Sequence, residues 1–199
     1  MPGTTDFVIN TLSTVAREGA IRAGRGLSGL MGQEIAIHIP DVRLGTKADA
    51  CDAVGGSDAI VLGAYLSISG DITGHVMLLF PIERALKCVD LMCGQPPGTT
   101  TEADELAESA IGELANIVGS AFVNALADHV QLVLHPSPPT VLSDMAQALV
   151  ETVYAEVLSQ GGDVVMIDTV FEDRGGHVAG LLIIAPDPAA VARLEGLAA

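Results

Sequence analysis

The chain reads as an α+β protein made by tandem duplication, with pseudo-twofold symmetry and a largely antiparallel sheet that carries long helices. Three observations predict this. One order of elements occurs twice; two long stretches repeat their apolar residues at the helical period; and short apolar runs flank tight turns, as hairpin strands do. A shift of 99 residues superimposes Leu12 on Ile111, Val15 on Leu114, Leu27 on Leu126, Pro40 on Pro139 and Val42 on Val141, and a shift of 105 brings GHVMLLFP onto AGLLIIAP. The expected organisation is a single domain over residues 1–199, built from repeats at about 1–98 and about 99–199.

In order, a helical pattern over about Asp6 to Met31 precedes alternation in EIAIHIPDV, Glu34 to Val42, which predicts one strand. KADACDAVGG then reads as a short connecting segment. DAIVLGAYLSIS and ITGHVMLLFP form a predicted hairpin about Gly70 and Asp71, and a helix from about Ile82 to Cys93 closes the half. GQPPGTTT is the join. The second half opens with a helical pattern from about Glu102 to Asp128, followed by VQLVLHPSPPTV. DMAQALVETVYAEVLS predicts a helix, DVVMIDTVFE and HVAGLLIIAP a hairpin around DRGG, and Pro188 to Leu197 a last helix. The join is too short to be a flexible tether between independent domains.

Composition narrows the function classes. With 49% hydrophobic residues the chain can bury a sizeable core. A net charge of -16, from 9 Lys and Arg against 25 Asp and Glu, argues against nucleic acid and anionic lipid as partners. No apolar run approaches the roughly 20 residues that span a bilayer, so no membrane insertion is expected. Nor does the start resemble a signal peptide. Cys51, Cys88 and Cys93 lack CxxC spacing and read as free thiols of a reducing cytoplasm, the expected location.

The informative stretch is ESAIGELANIVGS, Glu108 to Ser120. Ile111, Leu114, Val118 and Phe122 form a stripe that a core would cover. Ser109, Glu113 and Asn116, at i, i+4 and i+7, fall within about 60° of one another on the opposite side. From spacing alone, a wet helix face is the better account of all three. Glu102, Asp104 and Glu105 suit the positive end of a helix dipole without any further role. Asn116 fits less well, because its amide competes with the helical backbone and Lys, Gln or Glu would cost less there. A carboxylate and a carboxamide one turn apart can grip a cation and orient a water.

Ser109, Glu113, Asn116 and, beyond a 22-residue gap, Pro139 together resemble the motif of the CheC, CheX and FliY family of chemotaxis phosphatases. The surrounding ELANIVGSAFVNALADHVQLVLHPSPPTVLSDMA is similar to the CheC version, and the layout matches over nearly all 199 residues. The resemblance implies a phosphatase acting on the aspartyl phosphate of a CheY-type response regulator, with no cofactor of its own and the magnesium held by the regulator. It implies that Glu113 contacts the regulator's lysine and that Asn116 positions the attacking water. Ser109 and Pro139 would shape the helix start and the neighbouring loop. A CheD-type receptor deamidase is a further partner that the resemblance allows. The alternative is a non-enzymatic module that sequesters the phosphorylated regulator or regulates such a deamidase.

The first half departs from the motif. Asn10, Thr14, Arg17 and Pro40 occupy its positions, so the proline remains while the Glu and Asn do not. One working site is expected, in the second half. Docking beside an acidic pocket calls for a less negative rim, for which Arg22, Arg43 and Lys47 are candidates. Other signals carry less. GRGLSG, Gly24 to Gly29, fits G-x-G-x-x-G but ends a helix instead of opening one, which points to close packing or helix termination. The histidines show no metal-ligand spacing, so no metal site is expected. Asp168, Glu172 and Asp173 fit a strand running into a turn, and Ser137 lacks a nucleophile elbow.

Overall fold

A computed structural model describes residues 4–158, 164–173 and 176–187. Its elements are α1 (Thr4–Met31), β1 (Ala36–His38), β2 (Val42–Gly45), α2 (Lys47–Ala53), β3 (Ile60–Gly70), β4 (Gly74–Pro81) and α3 (Ile82–Met92). There follow α4 (Glu105–Val130), β5 (Leu134–Pro136), β6 (Thr140–Met145), α5 (Ala146–Leu158), β7 (Val164–Asp173) and β8 (Gly176–Pro186). The α+β architecture is as expected. Every strand pair in the sheet is antiparallel.

The sheet runs β1-β7-β8-β4-β3-β5, with β2 also on β7 and β6 also on β3. The hairpins β3–β4 and β7–β8 meet along β4 and β8, where Met77 faces Ile183 and Leu78 faces Leu182. Under the 105-residue shift these two pairs exchange, so the local twofold runs between them. Each half also lends its short strands to the other: β1 and β2 lie on β7, whereas β5 and β6 lie on β3.

Alternation along the strands gives the sheet two apolar faces. Leu62, Ala64 and Leu66 pack with α1, α3 and α4 in the larger core, while Val61, Met77, Leu79, Met166 and Ile183 pack with α2 and α5. By length and mean hydropathy α4 could cross a membrane, but half of its most apolar stretch is buried inside the protein. The helices α1 and α4 lie side by side and antiparallel. A Cβ on Gly19 would come within 3.0 Å of the Phe122 backbone, and one on Gly26 within 3.1 Å of Ile117. Gly24 is pressed against the Ile35 carbonyl, where a Cβ would stand at 2.9 Å. GRGLSG thus serves close packing.

Four expectations need correction. Glu34 to Val42 is two strands, because Pro40 has no N–H to give the ladder and restrains the residue before it. Ser137 to Pro139 divides β5 from β6 for the same reason. KADACDAVGG contains α2, capped by Thr46 and Asp49, whose side chains each take the other's backbone N–H in a capping box. The second long helix begins at Glu105 behind the cap of Asp104, whose carboxylate accepts the Ala107 N–H at 3.0 Å, so Glu102 lies outside it. The helix expected over Pro188 to Leu197 falls outside the described residues.

Candidate functional site

The stripe expected on α4 is in place. Ile111, Leu114, Val118 and Phe122 are buried, and Ser109, Glu113 and Asn116 are exposed on the other side. Among the described residues, none of those three side chains is committed to a hydrogen bond or ion pair. At i and i+3, the Glu113 and Asn116 side chains start about 5–6 Å apart on a rigid helix, free to meet an incoming surface.

Pro139 lies in the segment between β5 and β6, fixed on either side. Before it, the Ser137 N–H donates to the Ser67 carbonyl at 2.8 Å, and the Ser137 hydroxyl accepts the Ser67 N–H at 3.0 Å. A side-chain oxygen thus stands in for a ladder carbonyl where the prolines interrupt the pairing. After it, Val141 lies against α4 at Gly112, where an added Cβ would be 3.3 Å from the valine methyl. Gly112 adjoins Glu113, so the proline segment is held beside the exposed row. Ser137, which lacks a nucleophile elbow, serves the fold instead, through a partner on β3 70 residues away.

The first half presents a different surface. Asn10, Thr14 and Arg17 are exposed on α1, and Pro40 lies exposed between β1 and β2. The Thr14 hydroxyl turns back to donate to the Asn10 carbonyl at 3.0 Å. Here the kink is held otherwise: the Asp168 N–H donates to the Asp41 carbonyl at 3.0 Å, and the Arg43 guanidinium bridges Asp168 at 2.7 Å and Asp41 at 3.1 Å. Those bonds, Asp168 foremost, hold the guanidinium proton more tightly than usual.

The candidates for a positive rim are all engaged. Arg22 joins Asp128 at 2.6 Å and Glu18 at 2.5 Å, Arg43 is bound as above, and Lys47 pairs with Glu151. Each is paired with carboxylates, some near in the chain (Glu18, Asp41) and some distant (Asp128, Asp168, Glu151), so none of the three is a free cation among the described residues. His75 has a structural setting, accepting or donating at 2.6 Å with the Tyr65 hydroxyl, and His38 meets Glu172 at 2.9 Å.

The fold and the row define a class: a two-half α+β protein that exposes a carboxylate and a carboxamide on one rigid helix. The chain belongs to the family described as Chemotaxis phosphatase CheX, whose sequence model matches residues 62–161. It is 28% identical over 174 residues to the CheY-P phosphatase CheC of Bacillus subtilis (strain 168), covering 86% of this chain and 83% of that one. Among solved structures, Thermotoga maritima FliY superimposes with a TM-score of 0.77 over 99% of this chain and 96% of its own, at 20% identity. CheX in the CheX-CheY-BeF3-Mg+2 complex from Borrelia burgdorferi gives 0.54 over 85% and 96%, at 15% identity. At these identities the two structures speak for the fold.

Proposed function

We propose that this chain is a phosphatase that removes the phosphoryl group from the aspartyl phosphate of a CheY-type response regulator. The observation that carries the reading is the outward row of α4, in which Glu113 and Asn116 are exposed, adjacent and bound to nothing else among the described residues. Membership of a phosphatase family supports it, as do a relative named as a CheY-P phosphatase and a solved relative in complex with CheY.

In this reading Glu113 engages the regulator's lysine and fixes the pose. Asn116 accepts a hydrogen bond from a water through its carbonyl and holds that water in line with phosphorus. The water oxygen forms the new P–O bond as the bond to the aspartyl oxygen breaks, releasing phosphate and the free carboxylate, and the water's proton passes to solvent or phosphate. Positioning and charge account for most of such catalysis. A neutral carboxamide suits the task because a carboxylate there would repel the phosphoryl oxygens. One carboxylate and one amide do not make an oxygen cage for magnesium, which needs near-octahedral ligation, so the ion belongs to the regulator. In this reading the protein works where its regulator does, in the cytoplasm.

The test follows decay of a phosphorylated CheY-type regulator with and without the protein. Acceleration that disappears in Glu113→Ala with Asn116→Ala supports the proposal; unchanged decay, or acceleration that survives the double substitution, refutes it. Tight binding without acceleration would leave sequestration as the function.

A further inference from the structure

The residues of α1 related to Glu113, Asn116, Ser120 and Asn124 by the 99-residue shift are Thr14, Arg17, Ile21 and Arg25. All four on α1 are exposed, and at 100° per residue they stand within about 80° of one another, in one outward row. The duplication thus supplies an internal comparison. Where α4 carries no lysine or arginine, α1 sets two guanidinium groups eight residues apart, about 12 Å along the helix, with Ile21 midway and 56% exposed.

These two cations are available. In a chain of net charge -16, the third arginine of α1, Arg22, is held by Glu18 and Asp128, and Arg43 and Lys47 are bound to carboxylates as well. Arg17 and Arg25 have no ion pair or side-chain hydrogen bond among the described residues.

Beside the row lies an open groove of about 390 Å³, walled by Ile21, Gly24 and Arg25 from α1 and by Glu34, Ile35 and Ile37 from the chain that enters β1. The contact between helix and strand fixes its shape. Gly24 has no side chain to fill the space, and its backbone closes on the Ile35 carbonyl, where a Cβ would stand at 2.9 Å. The Ser28 hydroxyl accepts the Ile35 N–H at 2.8 Å and donates to the Gly24 carbonyl at 2.7 Å, which ties the two walls together. A groove held in this way is organised before any guest arrives.

Lining and charge together define the guest. An apolar side chain can enter over Ile21, Ile35 and Ile37 while a carboxylate on either side meets Arg17 and Arg25, whereas a lone phosphate would leave the apolar walls uncovered. We propose that this face of the first half binds a segment of a partner protein that carries two acidic side chains about 12 Å apart with an apolar side chain between them. Glu34 is the one carboxylate lining the groove among the described residues, and it opposes such a guest. Neither Glu113 nor Asn116 takes part, so the inference stands apart from the phosphatase reading.

The experiment measures, by fluorescence anisotropy, binding of a labelled peptide of about ten residues in which two glutamates stand four residues apart, about 13 Å in an extended chain, with a leucine between them. A matched peptide with glutamines is the control. The wild type should bind the acidic peptide and not the control, and Arg17→Gln and Arg25→Gln should each weaken binding about fivefold, the scale of one exposed charge pair. At this separation the losses should multiply, to about 25-fold in the double variant. Ile21→Ser should weaken binding about fivefold, and Glu34→Gln should strengthen it about twofold. Melting temperatures of the arginine variants should match the wild type, since neither guanidinium is bound within the described fold. Absence of binding, equal binding of the glutamine peptide, or affinity that survives the double arginine substitution overturns the proposal. A dimer in sedimentation that the same double substitution dissolves would assign the face to a second copy of this chain and overturn it too.

Discussion

Ser67 and Ser137 are joined twice, by an N–H to carbonyl bond at 2.8 Å and by an N–H to hydroxyl bond at 3.0 Å, across the two halves of the chain. The second bond depends on one side-chain oxygen. Ser137→Ala removes it, leaving the Ser67 N–H short of a partner at a cost of about 1 kcal/mol. For a chain of this size the melting temperature should fall by about 2–4 °C. Because the same bond sets the segment holding Pro139, phosphatase activity should fall too, and Ser137→Thr should recover both. Calorimetry and the decay assay on the two variants check this.

Asn116 faces solvent and supports nothing in the fold, so its replacement should spare stability and remove catalysis. Asn116→Ala is expected to lower kcat by about 100-fold, the scale of losing one positioning group. Asn116→Asp, nearly the same shape, should fail to restore it because it brings a negative charge to the phosphoryl oxygens. Wild-type turnover in Asn116→Asp would show that the amide does not orient the water.

The matching surface on α1 offers a gain-of-function test. Thr14→Glu with Arg17→Asn would place a carboxylate and an amide at the positions related to Glu113 and Asn116 by the 99-residue shift. In the Asn116→Ala background this pair should raise activity measurably, with a ceiling near that of wild type if the halves are equivalent copies. No recovery would mean that the Pro40 segment, braced by Arg43 and lacking a counterpart of Ser137, does not form the same surface.

Asp90 gives a pH prediction. It is only 2% exposed, and its carboxylate accepts backbone N–H groups of Gly98 at 2.6 Å, Thr99 at 3.2 Å and Thr100 at 2.8 Å, tying the join to α3. Burial pushes its carboxyl up, but the bonds from Thr100, Gly98 and Thr99 together outweigh it and hold the group below the usual carboxylate range. A depressed folded value contributes stability that is present above the unfolded pKa and lost as pH falls through the folded one. Asp90→Asn should therefore lower the melting temperature at pH 7, and the gap from wild type should narrow below about pH 4. A gap that does not change between pH 7 and pH 3 would contradict this.

Much of the fold was legible because long elements write their period into the chain. α1, α4 and the hairpin strands run for several turns or alternations, and so does the row of Ser109, Glu113 and Asn116. Short elements carry no such record. α2 is seven residues long, and its one signal was the capping pair Thr46 and Asp49. The break at Pro40 was visible as a residue but not as a division of a strand. Tertiary facts left no local trace: Arg22 finds Asp128 across 106 residues, and Ser137 finds Ser67 across 70.

The exchange of short strands has a consequence for how the molecule can be divided. The loop beside Glu113 is laid on β3, so the floor beneath the second half's motif is made by the first. The family match over residues 62–161 crosses the join in the same way, from β3 through α4 to α5. A fragment cut at the join would carry Glu113, Asn116 and Pro139 and yet have nothing to lay them on. The half without the motif is thus a cofolding partner of the half that has it.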